Sequence, residues 1–129
     1  MDVLIDTHAV IWFITNDSKL PKKAKIIIED INNNCYVSIA SFWEIAIKNS
    51  LNRLELNESL EKVFEIIESS GLSILPITTS HILQLSRLEF HHQDPFDRII
   101  IAQGINFNLA ILSKDQHFSK YNINLIWDK

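Results

Sequence analysis

A three-layer α/β/α sandwich around a central, mainly parallel sheet is the fold class this sequence predicts. Short apolar runs suited to strands are separated from one another by segments of helical periodicity, and that alternation lays strands side by side in parallel with helices over both faces. No internal repeat, linker or low-complexity stretch interrupts the series, so residues 1–129 are expected to form one domain. With 47% hydrophobic residues and interspersed charge, the composition is that of an ordinary globular chain able to bury a real core.

The elements follow in order. Val3, Leu4, Ile5 and Asp6 read as a buried strand whose last residue emerges at the sheet edge. Residues 8 to 15 are apolar enough for a packed helix. Pro21 suits the first turn of the next one, along which Ala24, Ile27, Ile28 and Ile31 recur at helical spacing until Asn32, Asn33 and Asn34 break the pattern. Cys35 to Val37 form a second strand, leading through Ser38 into a helix that runs to Asn49. Leu60, Val63, Phe64 and Ile67 mark another amphipathic helix, ended by Gly71. The helix pair around residues 40 to 70 is expected to protrude. Leu72 to Ile77 reads as a third strand with Pro76 at its exit, and residues 79 to 88 as a helix with Ile82, Leu85 and Leu88 inward. A helix from Asp94-Pro95 to about Asn106, a strand from Leu109 to Leu112, a short turn or helix through Ser119 and a last strand from Leu125 to Trp127 complete the chain.

Charge and composition narrow the function. The net charge of −4 argues against nucleic acid at first, since backbone binding draws on excess Lys and Arg. Setting aside four candidate site acids leaves 12 acids against 12 bases, and bound cations would largely neutralise those four. Lys19, Lys22, Lys23 and Lys25 form one basic cluster, equally readable as a solvated helix face, while Lys48, Arg53, Arg87 and Arg98 are scattered. Cys35 is the single cysteine, which excludes an intrachain disulfide and suits a small buried hydrophobe in a reduced compartment. There is neither a signal-peptide pattern nor an apolar run of the ~20 residues needed to cross a bilayer, so a soluble, cytoplasmic protein is expected.

Ligands of open α/β sheets bind beyond the carboxyl ends of the strands, and here those places are acidic. Asp6 closes the first strand, Glu44 lies in the helix after the second, Asp97 occupies the first turn of the helix before the fourth, and Asp115 follows the fourth. Carboxylates converging on one rim repel, and a hard cation such as Mg²⁺ or Mn²⁺ makes the arrangement tolerable. Such ions promote phosphodiester hydrolysis, with paired metals ~3.5–4 Å apart in two-metal sites.

Each acid also has a structural reading. Ser41-Phe42-Trp43-Glu44 fits a capping box, and Asp94-Pro95-Phe96-Asp97 fits an N-cap, a Pro at the first helical position and an acid favoured by the helix dipole. Asp115 lies in a Ser-Lys-Asp turn where Asp is a common cap, whereas Asp6, abutting a buried strand, needs a partner. Other chemistries have less to stand on. His91 and His92 with Asp94 lack the spacing of a zinc site, Gly71 and Gly104 are too few for a phosphate-cradling loop or a dinucleotide fingerprint, and no nucleophile elbow exists. Trp12, Trp43 and Trp127 read as core or interface anchors.

These residues resemble a PIN domain of the VapC toxin type. The resemblance rests on Leu4-Ile5-Asp6-Thr7-His8, on Ser41-Phe42-Trp43-Glu44-Ile45-Ala46-Ile47-Lys48, on Asp94-Pro95-Phe96-Asp97-Arg98 with Ile101-Ala102-Gln103, and on Leu112-Ser113-Lys114-Asp115, in that order along nearly the whole chain. It implies a Mg²⁺- or Mn²⁺-dependent endoribonuclease, the toxin of a type II toxin–antitoxin system, with Asp6, Glu44, Asp97 and Asp115 as catalytic and metal-holding residues. It implies an antitoxin partner, a homodimer and an RNA substrate, and matches Thr7 and Ser113 to hydroxyl positions that orient the site. The chain departs from some members at His117, where they carry a further acid, and Asp94 is expected to cap its helix. The rival readings are a DNA-directed or structure-specific nuclease with the same acids, and a non-catalytic protein-binding module in which the acids are only caps.

Overall fold

Alternation within the first apolar run divides the core. Val3 and Ile5 enter one apolar cluster and Leu4 the other, and all three are fully buried. The computed structural model describes residues 1–127. Among them, β1 (Asp2–Ile5), β2 (Asn34–Ser38), β3 (Ser73–Leu75), β4 (Ala110–Leu112) and β5 (Leu125–Ile126) form one sheet in spatial order β3-β2-β1-β4-β5. Every pairing is parallel, with Ile5 opposite Val37 on one side and Leu112 on the other. Helices fill the connections: α1 (Thr7–Ile14), α2 (Lys22–Glu29), α3 (Ile39–Ser50), α4 (Leu60–Glu68), α5 (Thr79–Ser86) and α6 (Pro95–Asn106), with a 3₁₀ turn at Gln116–Lys120.

One cluster joins Val3, Ile5 and Val37 to Ala9 and Val10 of α1, Ala24 and Ile28 of α2, Phe42 and Ile45 of α3, and Val63 and Ile67 of α4. The other joins Leu4 and Ile111 to Ile99–Ala102 of α6, Phe118 and Tyr121. Each large side chain so buried contributes about 1.5–3 kcal/mol. The last turn of α6 comes so close to β4 that a Cβ on Gly104 would lie 2.6 Å from Ile111 Cδ1 and 2.9 Å from its Cγ1, a contact the glycine avoids.

Three helices end on asparagines rather than glycines. Asn16, Asn52 and Asn108 have φ of 53°, 56° and 53°, the left-handed conformation that Asn tolerates better than most residues. In each case the next residue's N–H reaches back to a carbonyl of the last turn: Asp17 to Trp12 at 2.8 Å, Arg53 to Lys48 at 2.9 Å, Leu109 to Gly104 at 2.8 Å. These are Schellman closures.

The layered, all-parallel architecture matches the expectation, and several local details differ. Helix α4 does not protrude, because Val63 and Ile67 belong to the core that β1 enters. Helix α2 stops at Glu29, leaving Ile31 95% exposed rather than inward. In α5 the inward position goes to His81, whose Nδ1 accepts from Thr78 N at 3.0 Å, and Ile82 is turned out to solvent. Strand β3 is confined to Ser73–Leu75, ending just before Pro76.

Candidate active site at the carboxyl ends of the strands

The chain lays down β1, β2 and β3 outward, then returns to place β4 on the other flank of β1. The carboxyl ends of β1 and β4 thereby adjoin at the point where strand order reverses, the place where open α/β sheets form crevices. Asp6 N donates to Leu112 O there at 3.1 Å.

Asp6 is the N-cap of α1 and buried. Its Oδ1 accepts from Ala9 N at 2.9 Å, and its Oδ2 from Ser113 Oγ at 2.5 Å. Burial pushes its carboxyl above the ordinary range; the Ser113 and Ala9 hydrogen bonds and nearby His8 act the other way, and Glu44 adds to the rise. Glu44 is 2% exposed. It is not part of a capping box: the N-cap of α3 is Ser38, whose Oγ accepts from Ala40 N, so Glu44 lies a full turn further in. Thr7 Oγ1 donates to Glu44 Oε1 at 2.6 Å and Lys48 Nζ to Oε2 at 2.5 Å. With its one proton committed to Glu44, Thr7 accepts from Ser41 Oγ at 2.9 Å. Partial burial would lower Lys48, but its hydrogen bond to Glu44 and the charges of Glu44, Asp94 and Asp97 prevail and hold the ammonium above its usual range.

Asp94 caps α6 as expected, accepting from Phe96 N at 2.9 Å and Asp97 N at 3.2 Å. Asp97, in the first turn, is pushed up to about 8 by burial and then by the charges of Asp94, Asp115, Glu44 and Asp6. Three carboxylates from separate segments, besides the Asp94 cap of its own helix, thus act on this one group. Asp115 follows β4 and caps the 3₁₀ turn, accepting from His117 N and His117 Nδ1 at 2.9 Å each. Burial would raise it, but those hydrogen bonds and the histidine charges leave it below its ordinary range.

The charges of Asp6, Glu44 and Asp115 all reach Asp97, so the four acids singled out in the sequence lie at the same end of the sheet, although Asp97 borders neither of the cavities described next. Two cavities flank His8 there, one of about 280 Å³ bordered by Thr7, Glu44, Lys48 and Arg53, the other of about 370 Å³ bordered by Asp6, Trp12, Lys114 and Asp115. A larger cavity, about 700 Å³, opens at the opposite ends of the strands between Met1, Asp2, Leu109 and Asn124 and touches none of the four. Lys19, Lys22 and Lys23 are exposed and border neither cavity beside His8. Arg98 is buried, its guanidinium donating to Glu89 O, His92 O, Leu88 O and Tyr121 Oη, so it braces the α5–α6 connection instead of meeting solvent.

Among the described residues, no three His, Cys, Asp or Glu side chains are drawn into one tight metal cage. The oxygen donors nonetheless suit a hard cation that keeps several waters and takes only one or two carboxylates directly, as Mg²⁺ does. Sequence reasoning missed Lys48 as a partner of Glu44, and missed His92, whose Nε2 lies 3.3 Å from Asp97 Oδ2. The i,i+4 spacing of Glu44 and Lys48 was a readable signal; nothing in the sequence singled out His92 from His91.

The family model for the PIN domain matches residues 3–124. The chain belongs to the PIN domain family. No curated protein matches it. Among solved structures, this PIN domain is similar to a chain of VapBC2 from Rickettsia felis bound to a promoter DNA fragment, at 16% identity and a TM-score of 0.75, covering 99% of this chain and 100% of that one. It is similar to a chain of FitAcB from Neisseria gonorrhoeae, at 18% identity and a TM-score of 0.67, covering 96% of each. A toxin–antitoxin complex from Klebsiella pneumoniae contains a third, at 15% identity and a TM-score of 0.65, covering 96% of this chain and 95% of that one. At such identities the likeness is one of fold, and it spans the whole PIN domain.

Proposed function

We propose that this PIN domain is a divalent-metal-dependent endoribonuclease of the VapC type, the toxin of a type II toxin–antitoxin pair, acting in the cytoplasm. The observation that carries the reading is that Asp6, Glu44 and Asp115, from separate segments, and the neighbouring Asp94 all lie near enough for their charges to act on the half-buried carboxyl of Asp97, a repulsion that a cation would relieve. Asp6, Glu44, Asp97 and Asp115 would hold Mg²⁺ or Mn²⁺. When bound, the ion supplies neutralisation of the carboxylates and Lewis-acid stabilisation of charge on the phosphoryl oxygens.

The chain's own residues prepare that site. Ser113 and the Ala9 amide fix both oxygens of Asp6, and Thr7 and Lys48 fix both of Glu44, so neither carboxylate has to reorganise. Lys48, Arg53 and Lys114 border the two cavities beside His8 and supply positive charge for the phosphates on either side of the scissile bond. The fold neighbour described as a toxin–antitoxin complex supports an antitoxin partner, and a row of acids is a natural target for an inserted Arg. Large apolar side chains left exposed, Trp43 on α3 and Ile82 and Leu83 on α5, support a protein interface, the proposed homodimer among the candidates.

The test is incubation of partner-free protein with mixed cellular RNA and Mg²⁺ or Mn²⁺, beside an EDTA control and Asp97→Asn. Discrete fragments lost in both controls are the expected result. Absence of metal binding by the folded protein would favour the non-catalytic module, and preferential cutting of DNA in competition would favour a DNA-directed nuclease.

A further inference from the structure

Beside the four acids runs a chain of polar side chains that the proposed mechanism leaves unused. Arg98 Nη1 lies 3.2 Å from Tyr121 Oη, Tyr121 Oη lies 2.7 Å from His92 Nδ1, and His92 Nε2 lies 3.3 Å from Asp97 Oδ2. Its direction follows from donor chemistry. Arg98 has no acceptor and can only donate, so it occupies a lone pair of the Tyr121 hydroxyl and leaves the phenolic proton to point at His92 Nδ1. A histidine that accepts at Nδ1 carries its proton on Nε2, the nitrogen facing Asp97. Packing fixes the ring as well: His117 stacks on His92 with centroids 5.1 Å apart and planes 6° from parallel, and the Tyr121 ring meets it edge-on at 5.5 Å.

Resting on the metal-dependent reading above, we propose that His92 is a positioning residue, held as its Nε2–H tautomer by Tyr121 and Arg98, that ties down one oxygen of Asp97 and leaves the other free for the cation. Asp6 and Glu44 each have both oxygens tied by hydrogen bonds, whereas His92 is the side chain that fixes Asp97. Hydrogen bonds to a ligating carboxylate set its orientation, and their loss typically weakens metal affinity 10–100-fold. Tyr121 and Arg98 anchor the chain in the core: both are buried, and the Arg98 guanidinium is further pinned by three backbone carbonyls and by Phe90, whose ring centroid is 4.0 Å from Cζ.

The deciding experiment pairs two measurements on the purified chain. Long-range ¹H–¹⁵N spectra of ¹⁵N-histidine protein, with His92 assigned through His92→Gln, read its tautomer without metal and with Mg²⁺. Mn²⁺ titration and thermal unfolding are then compared for the wild type, His92→Phe, His92→Gln and Tyr121→Phe. The expected result is an Nε2–H signal for His92 and a roughly 10–100-fold weaker Mn²⁺ affinity in His92→Phe. His92→Gln, which restores a donor, is expected to recover most of that loss. Tyr121→Phe keeps the buried ring and removes only the hydroxyl, so it remains informative if His92→Phe does not fold; a smaller loss of affinity is expected there. An Nδ1–H tautomer, or Mn²⁺ binding by folded His92→Phe equal to that of the wild type, overturns the proposal. A wild type that binds no Mn²⁺ overturns the metal reading itself, and the tautomer measured without metal then still decides whether the relay exists.

Discussion

Ser113 Oγ donates to Asp6 Oδ2 at 2.5 Å, joining residues 107 positions apart in the chain. The same oxygen accepts from Asp115 N at 3.0 Å, so one hydroxyl links the first and the last of the four acids. Ser113→Ala is expected to lower stability by only about 1 kcal/mol, the usual net worth of a hydrogen bond. Its effect on the site is expected to be larger, on the order of 10–100-fold in Mn²⁺ affinity or cleavage, as for other residues that orient metal ligands. Denaturant unfolding beside Mn²⁺ titration checks both, and unchanged affinity would remove Ser113 from the site's architecture.

Lys48→Met is expected to leave the buried Glu44 carboxylate without its counter-charge. Loss of a hydrogen bond to a charged group costs about 1.5–3 kcal/mol, and the partial exposure of Lys48 puts the expectation at the lower end. Urea unfolding without metal measures it. Adding Glu44→Gln to the same chain should restore much of the loss, and additive losses in the double variant would count against the pairing.

Asp97 ties stability to pH in a direction opposite to that of a salt-bridged acid. Its carboxyl is pushed up to about 8 in the folded chain from an ordinary value of 3.8, so between those limits the folded state holds a proton that the unfolded state has released. Metal-free protein therefore loses stability from this group as pH rises through that window, with no further loss above it. Asp97→Asn is expected to flatten the dependence and to exceed the wild type in melting temperature at alkaline pH in EDTA, while approaching it in acid. Parallel melting curves for the two proteins across the window would refute this account.

Asn108 closes α6 at φ 53° two residues before β4, which Ser113 and Asp115 follow. A β-branched residue there would have to adopt the left-handed conformation at a cost of about 1–2 kcal/mol. Asn108→Val is expected to destabilise by that amount and Asn108→Gly to be close to neutral, as read by thermal unfolding. Equal effects of the two substitutions would mean that the backbone angle is not what matters there.

The layered fold and the position of the four acids at strand exits and first helix turns were legible because they rest on local signals: apolar runs of strand length, helical spacing between them, and the acids beyond them. The ends of α1 and α3 fall within one residue of the expected Thr15 and Asn49, but what closes them was not legible: Asn16 and Asn52 act through a backbone angle and a reach-back hydrogen bond that composition does not advertise, since glycine is the expected signal. Leu85 of α5 and Leu88 just beyond it pack inward as expected, but His81, polar by type, takes the buried place beside Gln103 and Phe107 while Ile82 faces out. Within the site, Ser41-Phe42-Trp43-Glu44 has the spacing of a capping box, yet Ser38 already fills that role and Ser41 serves Thr7 instead. Arg98 is one of the scattered basic residues in the sequence and is a buried brace in the fold, a role that was not legible because most of the acceptors it satisfies are backbone carbonyls that carry no residue identity.

The placement of β4 beside β1 also sets an order of events during synthesis. Until residues 110–115 have left the ribosome, Asp6 has neither its serine nor its neighbouring aspartate, and one flank of β1 is unpaired. A chain cut short before β4 thus lacks the serine that fixes Asp6 and the strand that flanks β1, however much of its first half has folded.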